Sequence, residues 1–66
     1  MSKVFEVRIH THTEAFGEDS WDREAETGRI LRSIADAMYG GTVPDKAVLK
    51  DRNGQVVGGF RLIDQE

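Results

Sequence analysis

Asp51-Arg52-Asn53-Gly54 stands between two runs of β-prone residues, and Asn-Gly in that setting is the strongest short-range sign of a β-hairpin. The turn predicts a strand over Ala47 to Asp51 and a return strand over Gln55 to Ile63. A hairpin alone is marginal in water, so a further strand or a helix has to cover it. The segment Lys3 to His10 supplies a strand. Phe5, Val7 and Ile9 alternate there with Glu6, Arg8 and His10, the period that turns one face inward.

The return strand carries a parity problem. Phe60 and Leu62 belong to one face, and Val57 belongs to the other unless the ladder shifts. A bulge at Gly58-Gly59 would bring Val57, Phe60 and Leu62 inward together; without one, Val57 lies on the open face. Between the first strand and the hairpin the chain reads as a loop followed by a helix. Thr11 to Asp19 has no clear period, and Gly17 marks a turn. Phe16 is expected to fold back onto the core.

A helix is predicted from Asp19 or Ser20 to Tyr39. Both starting residues are good N-caps, because a side-chain oxygen accepts an unpaired backbone N–H. Trp21, Ala25, Gly28, Leu31, Ala35 and Met38 recur at three- and four-residue steps, and Ile30 and Ile34 widen the stripe. That face is expected to lie on the sheet, with Gly28 marking a close approach. Gly40-Gly41 supplies the C-cap, and Pro44 bars helix in the connection that follows.

The order is therefore β-α-β-β: an α+β two-layer sandwich with one helix packed on a three-stranded antiparallel sheet. The last strand is expected in the centre. The alternative puts the second strand there, parallel to the first across a right-handed crossover. Residues 1–66 make one domain. A chain this short buries only about 60% of its unfolded surface, which leaves little room for a deep pocket. No catalytic activity is expected.

The chain has no cysteine, which excludes disulfides, zinc ribbons and thiol chemistry. No apolar run approaches the ~18–20 residues of a membrane span, and no signal-peptide core opens the sequence. A cytoplasmic location is expected.

Charge is unevenly spread. Glu14, Glu18, Asp19, Asp22, Glu24 and Glu26 face only Arg23, so residues 14–26 sum to −5 while the remaining residues sum to +2 within a net −3. Asp19, Asp22 and Glu24 suit the start of a helix. Glu14, Glu18 and Glu26 need another reason, and six crowded carboxylates suggest a surface that binds a basic partner. These six are the expected partner-binding residues. No catalytic residues, metal or cofactor are expected. His10, His12 and Glu14 share one direction in an extended chain, but they run into a polar loop and read as solvated. Lys46, Lys50, Arg52 and Arg61 read as charged gatekeepers on the hairpin rather than a nucleic-acid site.

The stretches Arg29-Ile30-Leu31-Arg32-Ser33-Ile34-Ala35, Gly40-Gly41 and Leu49-Lys50-Asp51-Arg52-Asn53-Gly54-Gln55-Val56-Val57-Gly58-Gly59-Phe60 resemble small phage and prophage proteins. Among domains of that origin and size, the charge polarity resembles that of anti-CRISPR proteins. The resemblance implies an inhibitor that covers the DNA-binding surface of a CRISPR effector complex, a type I surveillance complex by analogy. It implies a bacterial host cell, a host effector protein with a basic surface as partner, and no direct contact with nucleic acid or membrane; a monomer is expected over an oligomer. The alternative is a phage structural or accessory protein acting through homo-oligomerisation at an exposed edge strand.

Overall fold

A computed structural model describes residues 2–65. It has β1 at Ser2–Ile9, a 3₁₀ turn at Glu14–Phe16, helix α1 at Ser20–Tyr39, β2 at Lys46–Lys50 and β3 at Val56–Gln65. The three strands form one antiparallel sheet in the order β1-β3-β2, so the last strand is central as expected. The helix covers one face of that sheet, giving the α+β sandwich. Among the described residues, no helix is long and apolar enough to cross a membrane.

The sheet's inner face follows the predicted alternation. Val7 lies opposite Phe60, which lies opposite Ala47; Ile9, Gly58 and Leu49 form the next row. The expected bulge is present, displaced by one residue. Lys50 pairs with Val56 but Leu49 pairs with Gly58, so Val57 is the extra residue and turns into the core. Leu62 lies towards the far end of the inner face and stays partly exposed.

Gly58 is required by a different contact. A Cβ there would fall 1.8 Å from the Arg8 carbonyl oxygen, so only glycine lets β1 and β3 approach this closely.

The start of α1 is as predicted, with the Asp19 carboxylate accepting the Asp22 N–H at 2.8 Å. Its end is a Schellman motif. Gly41 takes φ +73°, its N–H bonds the Met38 carbonyl, and Thr42 N–H reaches back to the Ala37 carbonyl. Gly40 itself remains helical.

The face α1 presents is only one margin of the predicted stripe, that of Ile30 and Ile34. Glu26, Ile30 and Ile34 are buried, whereas Trp21, Ala25, Gly28, Leu31, Ala35 and Met38 are exposed. The helix is apolar on two sides, and the side that also carries Glu26, bonded to the hairpin, is the one that faces the sheet. Ile30 and Ile34 bring more apolar area to the sheet than a row centred on Ala25, Gly28 and Ala35. Phe16, fully buried as expected, closes the core with Ile30, Ile34, Leu49, Val57 and Phe60.

Gly28 is therefore not a contact glycine. A Cβ there would meet nothing within 4 Å. Gly28→Ala is expected to stabilise the fold by up to about 1 kcal/mol in chemical denaturation, by removing glycine's backbone entropy from the helix. Gly58→Ala is expected to cost about 3 kcal/mol or more in the same assay, because backbone has to move.

Candidate protein-binding face

The six predicted carboxylates divide into two groups. Glu14 lies in the 3₁₀ turn, Glu18 and Asp19 in the link to the helix, and Asp22 and Glu24 in the first turns of α1; all five are exposed. Among the described residues none of the five takes part in an ion pair. With Arg23 as the only base among them, this end of the domain carries −4. Asp19 has a structural duty as well, since it caps α1.

Glu26 leaves the patch. It is 4% exposed and points at the hairpin. Both its oxygens accept hydrogen bonds from the Arg29 guanidinium at 2.8 Å, and Oε2 also accepts the Arg52 backbone N–H at 2.8 Å. A buried carboxylate needs such partners to remain charged. The Arg29 hydrogen bonds hold its pKa below the ordinary 4.5, against the opposing effect of burial and with help from the Arg52 N–H. Glu26 thus ties the helix to the hairpin and cannot meet a partner protein.

Asp51 is the second buried carboxylate, also 4% exposed, and the sequence reading gave it no role beyond the turn. Its Oδ2 accepts the Thr13 hydroxyl at 2.6 Å, and its Oδ1 accepts the Asn53 and Gln55 N–H groups at 2.9 and 3.0 Å. The Thr13 bond is the main reason its pKa lies below the ordinary 3.8; the turn amides add to it and burial opposes it. The Asp-x-Asn-Gly pattern is a signal that could have revealed this side-chain turn. The Glu26-x-x-Arg29 spacing could likewise have revealed a helical ion pair.

Trp21 is 81% exposed in the first turn of α1, between Asp19, Asp22 and Glu24 in sequence. A large aromatic is normally withdrawn from water, and aromatic anchors are enriched at the centres of protein interfaces. Along the same outward side of α1 run Ala25, Gly28 and Ala35, and Tyr39 stands 97% exposed at the far end. The result is an exposed helix side with an aromatic at each end, Arg32 at its middle, and Asp19, Asp22 and Glu24 beside Trp21 in sequence.

The remaining candidates are not gathered into sites. His10 and His12 lie edge to face with ring centroids 6.3 Å apart, and no group of three potential metal ligands exists among the described residues. Lys46, Lys50, Arg52 and Arg61 are all exposed; Lys46 lies opposite Arg61 on the open sheet face, where Arg61 donates to Glu6 at 2.7 Å. Comparison with known protein families, characterised proteins and solved structures finds no match.

Because Glu26 and Asp51 have lowered pKa values, their stabilisation is complete above the ordinary carboxylate range and is lost as pH falls through the lowered values. Glu26→Gln is expected to cost about 1–3 kcal/mol at neutral pH, the worth of charge-assisted bonds in a buried site. The gap between its melting temperature and that of the parent should close as pH drops below about 4. A gap independent of pH would show that the Glu26 charge does not act as described.

Proposed function

We propose that this chain is a binding protein that presents its acidic end to a basic, nucleic-acid-binding surface of another protein. The observation that carries the reading is Trp21, exposed among unpaired carboxylates at one end of a rigid helix. Proteins that grip nucleic acid display Lys and Arg arrays to phosphates. Glu14, Glu18, Asp22 and Glu24 would meet such side chains as charge-assisted pairs, while Trp21 supplies the desolvated anchor. The field of the cluster would speed encounter. Asp19 contributes charge from its capping position, and Glu26 contributes none directly.

The resemblance to phage proteins gives the target its specific form: a CRISPR effector complex whose DNA-binding surface is covered. The test is target-DNA binding by a purified type I surveillance complex, read by gel shift with the protein added. Loss of binding with co-elution of the two proteins is expected, weakening steeply with added salt. Glu14, Glu18 and Glu24 changed together to Lys should weaken inhibition at least about tenfold. Trp21→Ala should do the same through lost burial. Asp19 and Glu26 are left intact so that the fold is not disturbed. Full DNA binding in the presence of excess protein overturns the CRISPR target. Undiminished inhibition by the folded lysine variant overturns the acidic contact.

A further inference from the structure

The two edges of the sheet are built differently. β2 is 5 residues long and has a lysine at each end, Lys46 and Lys50, features that discourage pairing with another strand. β1 is 8 residues long, contains no proline and keeps an unbroken register with β3.

The outward groups of β1 can be assigned. His10 N–H donates to the Val57 carbonyl at 2.7 Å, and the register continues through Ile9↔Gly58, Arg8↔Gly59 and Val7↔Phe60. Residues of an antiparallel strand turn their N–H and C=O alternately to one side and the other. Arg8, Glu6 and Val4 therefore bond β3 with His10, and the backbone groups of Phe5, Val7 and Ile9 point out of the edge. β3 is consistent with this, since Leu62 N–H turns the other way and donates to the Asp45 carbonyl on the β2 side.

A second β1 approaching antiparallel has to set outward residues against outward residues. Several registers satisfy this, and charge distinguishes them. Centred on Glu6, the pairing places Glu6 against Glu6; centred on Arg8, it places Arg8 against Arg8. Centred on Val7, it places each Glu6 opposite the other copy's Arg8, Val7 opposite Val7, and Phe5 opposite Ile9. Directly opposed unlike charges stabilise a strand pair and like charges oppose it.

Arg8 also has no ion-pair partner among the described residues. It faces Gly59 across the sheet. Phe5, 38% exposed beside Phe60 on the helix side, would be covered by the second copy's Ile9.

We infer that β1 is an interface for a second copy of this chain, in the register centred on Val7. The product is a continuous six-stranded antiparallel sheet with a two-fold axis at Val7 and both helices on the same face. Neither the acidic residues nor Trp21 is among the residues this register brings together, so the inference is independent of the proposed function.

The experiment is sedimentation of the full chain over a wide concentration range, with three comparisons. The parent should shift from 7.4 kDa towards twice that mass as concentration rises. Glu6→Lys and Arg8→Glu each place like charges in opposition, and each alone should raise the dissociation constant about tenfold or more. An equimolar mixture of the two variants restores unlike pairs at both positions and should recover the dimer. Glu6→Lys also removes the contact with Arg61, so circular dichroism checks its fold; Arg8→Glu leaves that contact intact and decides the matter by itself. On dimerisation, amide exchange should slow at Phe5, Val7 and Ile9 but not at Val48. A parent that stays monomeric at the highest concentration overturns the inference. So does unchanged dimerisation of folded Arg8→Glu, or protection at Val48 instead of β1.

Discussion

Two carboxylates with almost no exposure hold three separate parts of this chain together. Glu26 reaches from the helix to the hairpin through the Arg52 N–H, and Asp51 reaches from the hairpin to the loop after β1 through Thr13. The apolar core is thin, so these bonds fix what hydrophobic burial cannot. Burial is non-directional; it would accept several rotations of α1 about its axis. A carboxylate that must find both a guanidinium and a backbone N–H accepts one. The rotation chosen buries Ile30 and Ile34, and it leaves Trp21 and Tyr39 in water.

That consequence links stability to the proposed function. The charge cluster read from the sequence splits because one member is spent on architecture. Glu26 holds the helix in the orientation that exposes Trp21, and Asp19 caps the helix on which Trp21 sits. The acids that remain free are the ones on the 3₁₀ turn, the link and the outward first turns of α1. The proposed binding surface and a structural latch are thus made from one run of residues, and mutations that treat the run as uniform would confuse the two.

The strands show the same division of labour. Gly58 carries no side chain because β1 and β3 approach too closely there, and Val57 enters the core because the ladder slips beside it. The slip interrupts the β2–β3 register and leaves that of β1 with β3 unbroken. The edge left regular is the one whose opposed Glu6 and Arg8 can match a second copy, while lysines guard the shorter edge.

Local chemistry in the sequence settled much of this fold. Alternation in Lys3 to His10, the Asp51-Arg52-Asn53-Gly54 turn, the Asp19 cap and the Gly41 stop each act over a few residues, and each element formed where those signals placed it to within one or two positions. The central place of β3 followed from an arrangement that makes every neighbouring pair antiparallel, and the burial of Phe16 from its being a large apolar side chain in a polar loop. The phase of α1 did not follow, because apolar residues occupy both sides of the helix and periodicity cannot choose between them. Nor did the burial of Glu26 and Asp51, since a charged residue enters the interior only when partners distant in sequence are brought to it. Arg52 lies 26 residues from Glu26 and Thr13 lies 38 from Asp51. Only the folded chain unites them, and with that union it decides which carboxylates and which aromatics remain exposed.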